Sequence, residues 1–157
     1  MGVRRQSREW ALQFLFQRDF SRDEDLAAEL EEFWRDRRPA PRVQSFTEEI
    51  IYNVERQRDE LDAKINEYAE HWDVKRMGGV DRNLLRIALY EMTGRSDIPP
   101  VVSIDEAVEI AKRYSSNESG RFVNGILDRA RKDLKRRSSK PTPATQNEKG
   151  TDHGHLD

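Results

Sequence analysis

The chain has 157 residues, and its 28 lysines and arginines against 30 aspartates and glutamates give a formal net charge of −2. This length predicts a single domain, and the charge balance excludes a polycation, so any nucleic-acid role must depend on a local basic patch. The absence of cysteine excludes disulfides and thiol nucleophiles, and no apolar run approaches the ~18 residues that span a bilayer, so a soluble cytoplasmic protein is expected.

Helical spacing of apolar residues predicts three helices in the first third of the chain. The first covers residues 4–20, with an apolar face around Trp10 and Phe14. Ser21 with Glu24 forms a capping box for the second. The two prolines of residues 35–42 predict a loop. The third helix is expected over Val43–Val54.

The middle of the chain predicts two further helices and leaves one boundary open. Asp59 is a suitable cap for a fourth helix, whose apolar stripe is Leu61, Ile65, Tyr68 and Trp72. Residues 43–72 equally fit one long, bent helix. After a loop over residues 73–79, Asp81 is the expected cap of a fifth helix. That helix is the best candidate for the most buried one, because its apolar stripe is nearly unbroken: Leu84, Leu85, Ala88, Leu89 and Met92.

The stretch 103–134 predicts two helices separated by a short polar break. Ser103 with Glu106 forms a second capping box, and Asn117 is a plausible cap of the last helix. The apolar stripe of that helix is Phe122, Val123, Ile126, Leu127, Ala130 and Leu134. Asn124 and Gly125 interrupt it, and Gly alone costs about 1 kcal/mol relative to Ala in a helix. The simplest explanation for Gly125 is a close packing contact.

The predicted fold is therefore all-α, with about seven short helices packed around shared apolar faces and no strands. The domain is expected over residues 1–137. Residues 138–157 are expected to form a disordered tail, since they contain one large apolar residue, and a weak metal site at its two histidines is far less plausible than a polar tail.

Catalytic groups are scarce in the predicted domain. Its one histidine, His71, shares a helix face with Glu67 in the predicted fourth helix, which is half of a ligand pair at best. No glycine-rich phosphate loop is present. We therefore expect no enzyme activity, no metal and no cofactor.

Two regions carry the residue types that bind single-stranded RNA. The first helical turn is basic, although the helix dipole disfavours cations there. The polar break and the start of the last helix combine cations, hydroxyls, amides and an aromatic ring. Alternatively, Phe122 belongs to the core and the arginines are simply solvated. The residues concerned are Arg4, Arg5, Arg8, Arg113, Ser115, Asn117, Arg121, Phe122 and Asn124.

Three segments resemble the NusB family of bacterial transcription antitermination factors: RRQSREWALQFLF (4–16), VDRNLLRIALYEM (80–92) and IPPVVSIDEAVEIAKRYSSNESGRFVNGILD (98–128). The resemblance covers roughly residues 4–134. It implies an all-helical protein with two small helical bundles. It also implies binding to the boxA element of nascent ribosomal-operon RNA together with NusE, a ribosomal protein, so that RNA polymerase resists termination.

The resemblance also assigns roles to particular positions. The basic N-terminal motif of the family matches Arg4, Arg5 and Arg8. Its second RNA-facing region matches the turn 113–124, including Glu118, Arg121, Phe122 and Asn124. The positions that face NusE match Phe16, where the family often has Tyr, and Asp81, where it often has Glu.

Two other functions are compatible with the sequence. Some RNA cytosine methyltransferases carry a helical domain similar to NusB, although this chain contains no βαβ segment for the methyl donor. A helical scaffold that binds only proteins is the other. Some family members self-associate over the RNA-binding face, so both a monomer and a homodimer remain open.

Overall fold

The computed structural model describes residues 2–20 and 25–138, and this part of the chain contains seven α-helices, one short 3-10 helix and no strand. The predicted all-α fold of about seven helices is confirmed. None of the described helices is long and apolar enough to cross a membrane. The helices are α1 (Val3–Phe20), α2 (Leu26–Trp34), α3 (Pro41–Arg56), α4 (Arg58–Ala69), α5 (Gly79–Gly94), α6 (Pro100–Tyr114) and α7 (Asn117–Ser138), and the 3-10 helix is Val74–Arg76.

Helix α5 is the centre of the molecule, as its apolar stripe predicts. Every residue from 83 to 91 is buried, and α5 contacts α1, α3, α4, α6 and α7. Helices α1–α3 form the N-terminal group and α4–α7 the C-terminal group. Because α5 touches both groups, one hydrophobic core runs through the molecule.

The buried polar residues of α5 are satisfied by charged partners on neighbouring helices. Asp19, near the end of α1, accepts hydrogen bonds from Asn83 at 2.9 Å and from Arg58 of α4 at 2.6 Å. It also pairs with Arg82 at 3.0 Å and with Arg86 at 3.2 Å. Burial alone would raise the pKa of Asp19, but these hydrogen bonds and the arginine charges together lower the pKa below its ordinary value.

Aromatic rings hold α2 against α1. Trp10 lies 5.1 Å from Trp34 and Phe14 lies 5.4 Å from Phe33, measured between ring centroids. Asp25 caps α2, accepting a hydrogen bond from the Ala28 amide at 3.0 Å. The capping box predicted at Ser21 and Glu24 lies outside the described residues.

Residues 43–72 form two helices, which decides the boundary that the sequence left open. The break falls at Gln57 (φ −101°, ψ 13°), so Asp59 lies in the first turn of α4 and the prediction that it is the cap was wrong. Helix α4 ends at Ala69. Trp72 therefore leaves the predicted apolar stripe and is exposed, and His71 does not share a helix face with Glu67.

The predicted caps of α6, α5 and α7 were wrong by four, three and one residues, respectively. Helix α6 begins at Pro100, because proline suits the first helical position, so Ser103 lies inside the helix. Helix α5 begins at Gly79, so Asp81 lies in its first turn. The cap of α7 is Ser116, whose hydroxyl accepts the Ser119 amide at 3.1 Å, and Asn117 is the first helical residue.

Gly125 has no close packing contact, contrary to expectation. A Cβ atom there would meet nothing nearer than Arg129 Nη1 at 3.9 Å. The crowded glycines are Gly79, whose added Cβ would lie 2.6 Å from Phe16 Cε2, and Gly120, whose added Cβ would lie 2.8 Å from Lys112 Cγ.

The last helix, α7, ends at Ser138, one residue beyond the predicted end of the domain at residue 137. The remainder of the predicted tail, residues 139–157, lies outside the described residues, as do both of its histidines.

Replacing Asp19 by Asn is expected to lower the free energy of unfolding at pH 7 by about 3–5 kcal/mol, because it leaves buried arginines without their shared anion. The folded pKa of Asp19 is lowered from 3.8, so its stabilisation is present above that pH and is lost as the pH falls below it. Urea unfolding at pH 7 and pH 3 measures the difference in the free energy of unfolding between wild type and variant, and this difference should be smaller at pH 3. The exposed Asp105→Asn serves as control. An equal difference in the free energy of unfolding at both pH values would contradict the stabilising role of ionised Asp19.

Candidate nucleic-acid interface

The first turns of α1 lie on the same face of the molecule as residues 113–124, which we call the α6–α7 junction. The guanidinium of Arg5 forms an ion pair with Glu106 in the middle of α6. One turn further along α1, Glu9 accepts a hydrogen bond from the Tyr114 hydroxyl at 2.9 Å and pairs with Arg113 at 3.5 Å. These contacts bring together the two regions in which the sequence predicts RNA-binding residues.

Arg4 is an exposed cation at the edge of this face. Its Nη2 lies 3.5 Å from Asp97, and about half of each side chain is exposed. Its guanidinium lies 5.1 Å from the centroid of the Phe46 ring. An exposed ion pair of this kind contributes about 0–1 kcal/mol, so a phosphate can replace the carboxylate at small cost.

Arg8 does not reach the surface, so the prediction that it contacts RNA directly is corrected. Its side chain is 4% exposed and donates two hydrogen bonds of 2.8 Å to the carboxylate of Glu91 in α5. Ser103 of α6 donates to the same carboxylate at 2.8 Å. The physical reason is that a buried carboxylate needs a cation, and of Arg4, Arg5 and Arg8 it is Arg8 that α1 directs inward.

The α6–α7 junction presents polar side chains to solvent. Six of the predicted RNA-binding residues are exposed there: Arg113, Ser115, Asn117, Glu118, Arg121 and Asn124. Phe122 is partly buried, with its ring 5.8 Å from that of Trp72 in an edge-to-face arrangement. Phe122 therefore packs at the margin of the core and still lines a surface cleft.

Ser119 connects this junction to Asp81. Its hydroxyl lies 2.8 Å from that of Ser115 and donates to Asp81 Oδ2 at 3.4 Å. Burial raises the pKa of Asp81, and the hydrogen bond from Ser119 acts in the opposite direction. The other oxygen, Oδ1, is buried without a hydrogen-bond partner among the described residues. An added donor would therefore stabilise this carboxylate.

Phe16 packs against the start of α5, at Gly79, two residues before Asp81. Its ring occupies the space above Gly79 where any other residue would place its Cβ. It also contacts Phe20 edge to face, with centroids 5.2 Å apart, and the Phe20 side chain is 75% exposed. Both predicted partner-binding residues thus lie at the start of α5: Phe16 packs on Gly79, and Asp81 accepts a hydrogen bond from Ser119 of α7.

Sequence reasoning missed the side chains that join these regions, namely Glu9, Tyr114 and Ser119. Arg5, Glu9 and Phe16 recur at helical spacing and share a face of α1, which is the pattern that indicates a common surface. Burial and the hydrogen bond to Glu9 raise the pKa of Tyr114. No sequence pattern indicated that Ser119 bridges Ser115 and Asp81. Residues 2–20 and 25–138 contain no group of three His, Cys, Asp or Glu side chains placed to hold a metal ion.

Comparison with known proteins identifies the family. The model of the NusB family matches residues 5–132. The chain belongs to the NusB family. Transcription antitermination protein NusB of Koribacter versatilis is 42% identical over 134 residues, which cover 85% of this chain and 91% of that protein. The NusB of Bdellovibrio bacteriovorus is 44% identical over 133 residues, covering 84% and 97%.

Solved NusB structures have the same fold. T. maritima NusB is 44% identical, with a TM-score of 0.75 over 82% of this chain and 90% of that one. A NusB crystallised with NusE and double-stranded RNA shares the fold at 24% identity, with a TM-score of 0.75 over 85% of this chain and 98% of that one.

Replacing Arg8 by Met is expected to lower the free energy of unfolding by about 3–5 kcal/mol, because the buried Glu91 is left without its cation. Combining it with Glu91→Gln should recover part of the loss, since a neutral amide still accepts from Ser103. Urea denaturation measures both. Arg4→Met, which removes an exposed arginine from the same helix, should change stability little. Equal losses in the free energy of unfolding for Arg4→Met and Arg8→Met would contradict the conclusion that Arg8, but not Arg4, stabilises the fold.

Proposed function

We propose that this chain, a transcription antitermination protein of the NusB family, binds the boxA element of nascent ribosomal-operon RNA together with NusE and so helps RNA polymerase resist termination. The observation that carries the proposal is the common face formed by α1 and the α6–α7 junction, where Glu9 holds Arg113 and Tyr114. An unpaired RNA strand that touches the basic first turns is thereby led to the polar junction.

The phosphate contacts are assigned to Arg4, Arg5, Arg113 and Arg121. Arg121 forms no ion pair within the described residues. Arg4 and Arg113 are exposed and form long ion pairs of 3.5 Å, Arg4 with the exposed Asp97 and Arg113 with the buried Glu9. Arg5 forms an ion pair with Glu106 of α6, and its side chain is less exposed than those of Arg4 and Arg113. Arginine contacts to phosphate supply affinity that is blind to sequence and falls with salt. Arg8 acts indirectly, by fixing α1 against α5.

Base recognition is assigned to the junction. Exposed hydroxyl and amide groups suit the edges of unstacked RNA bases, and an aromatic ring provides a stacking surface. The side chains concerned are Ser115, Asn117, Glu118, Phe122 and Asn124. Glu118 lies in the first turn of α7, where the helix dipole stabilises its charge and where it is placed to accept from a base amino group.

NusE is assigned to the surface around Phe16 and Asp81. The exposed ring of Phe20 extends its apolar part. Asp81 contributes a half-buried carboxylate to this surface, held by only one long hydrogen bond of 3.4 Å from Ser119. Because Ser119 joins Asp81 to Ser115, the two surfaces are neighbours. An RNA that touches both proteins gains affinity from their linkage, so neither contact has to be tight alone.

We infer further that the chain acts by binding alone, without catalysis or a cofactor, in the cytoplasm, and that residues 1–137 are the functional unit. The relatives from Koribacter versatilis and Bdellovibrio bacteriovorus are named as antitermination proteins and not as enzymes, which supports the first of these points.

Replacing Arg4 and Arg5 together by Gln is expected to weaken boxA binding and to reduce the salt slope of log K by roughly 1.4, since each phosphate contact to a single strand contributes about 0.7. Electrophoretic shift of a boxA oligonucleotide with NusE present, repeated over a range of salt concentrations, measures the change. A scrambled boxA competitor tests sequence preference.

The matched control is Arg35→Gln with Arg56→Gln. These exposed arginines lie at the end of α2 and in the last turn of α3, and neither is among the residues assigned to RNA contacts. An equal loss of salt dependence in both double variants would mean that binding is nonspecific. An unchanged slope in Arg4→Gln, Arg5→Gln would refute the assignment of phosphate contacts.

Asp81→Asn is expected to leave the free energy of unfolding at pH 7 unchanged or higher, yet to weaken NusE binding by about 1.5–3 kcal/mol, the contribution of a hydrogen bond to a charged group. Because burial raises its pKa, ionised Asp81 opposes folding above that pKa, and this penalty disappears as the pH falls. Urea unfolding and titration calorimetry measure the two effects. The exposed Asp59→Asn is the control, and a loss of stability without a loss of NusE affinity would contradict the role.

A further inference from the structure

Trp72 is a large exposed aromatic side chain with no role in the contacts assigned above. It is 56% exposed, in the segment between α4 and α5, and packs edge to face on Phe122 with centroids 5.8 Å apart. Leaving so much indole surface in water forfeits burial free energy that the neighbouring core residues gain. Large exposed apolar surface with a polar surround is typical of a binding site.

The backbone around Trp72 is fixed by its contacts. Glu70 has φ 58° and ψ −68°, and the His71 amide bonds to the Ala69 carbonyl at 2.6 Å, which makes a γ-turn that ends α4. The Val74 amide donates to Asn66 Oδ1 at 2.7 Å, and the Val74 side chain is 2% exposed. The turn and this anchor place the indole at the surface.

Arg76 lies next to Trp72. The two side chains line a cleft of about 250 Å³ together with Ser116, Glu118 and Phe122. They also line a neighbouring cleft of about 480 Å³. Arg76 is exposed and forms no ion pair with another described residue. A free guanidinium beside an exposed ring is the combination that binds a nucleotide of a single strand, by phosphate contact and stacking.

The adjoining face of α7 leaves room for a base. Gly125 follows Phe122 by three residues, so the two share that face. Packing does not require glycine there, since an added Cβ would meet only Arg129 Nη1 at 3.9 Å. A missing side chain allows a ligand to approach the helix closely. Asp81 and Glu118 also line the smaller cleft, so the phosphate belongs beside Arg76, the cation that lines both clefts.

We propose that Trp72 and Arg76 form an additional nucleotide subsite, in which Trp72 stacks on an unpaired RNA base next to the one at Phe122 and Arg76 holds its phosphate. The subsite rests on the proposed RNA-binding function and extends it by one nucleotide. It continues the bound strand from the α6–α7 junction towards the segment before α5.

Affinity for a boxA oligonucleotide, measured with NusE present, tests the subsite. Trp72→Ala should bind about 5- to 150-fold more weakly, since stacking of one base on an aromatic side chain contributes about that factor. Its salt slope should stay at the wild-type value, because stacking releases no counterions. Trp72→Phe should bind close to wild type, and Arg76→Gln should lower the slope by about 0.7. Tyr52→Ala, which removes another exposed aromatic ring from α3, is the matched control.

Tryptophan fluorescence gives a second readout that needs no truncated side chain. Trp10 and Trp34 pack together in the α1–α2 aromatic cluster. RNA should therefore quench the emission of wild type and leave that of Trp72→Phe unquenched. Undiminished quenching in Trp72→Phe would overturn the subsite, even if Trp72→Ala does not fold.

The outcomes separate the subsite from the function on which it rests. If wild type with NusE does not bind boxA, the proposed function fails. If wild type binds and a folded Trp72→Ala binds equally well, only the subsite is wrong. A Trp72→Ala protein that loses NusE affinity while its own RNA affinity is intact would assign the ring to a protein partner and also overturn the subsite.

Discussion

The carboxylate of Glu91 is the interaction on which the binding face depends. It sits in the buried centre of α5 and accepts hydrogen bonds from Arg8 of α1 and Ser103 of α6. One anion on α5 thus ties together α1 and α6, two of the helices that carry the face. Removing water from a charge in this position is costly, and the bidentate arginine with the serine hydroxyl offsets that cost. The surface cations keep their relative positions because this buried pair is fixed.

The face itself is balanced in charge before any ligand arrives. Arg5 is paired with Glu106, Arg113 with Glu9 and Arg4 with Asp97. A phosphate must compete with a carboxylate at each of these positions, which limits affinity for arbitrary nucleic acid. Selectivity then depends on the uncompensated groups at the junction and on the partner protein, in keeping with a net charge of −2.

Periodicity was sufficient to predict the helices and the central position of α5, because burial of an apolar stripe dominates the energetics of such a fold. Cap positions were harder to predict, since proline at the start of α6 displaced the expected Ser103 cap. Arg8 could not be separated from Arg4 and Arg5 by composition. Which arginine turns inward depends on Glu91, which is 83 positions away in the chain. Trp72 was misplaced because a γ-turn at Glu70, a rare conformation for a non-glycine residue, stops α4 before the stripe ends.

The arginines that surround Asp19 determine how the two helical groups come apart. Arg58 of α4 and Arg82 and Arg86 of α5 all converge on this one side chain near the end of α1. Neither group can detach without breaking all of these ion pairs and exposing the hydrophobic core that the groups share along α5. Intermediates with one bundle open are therefore high in free energy, and the molecule behaves as one cooperative unit despite its bipartite layout.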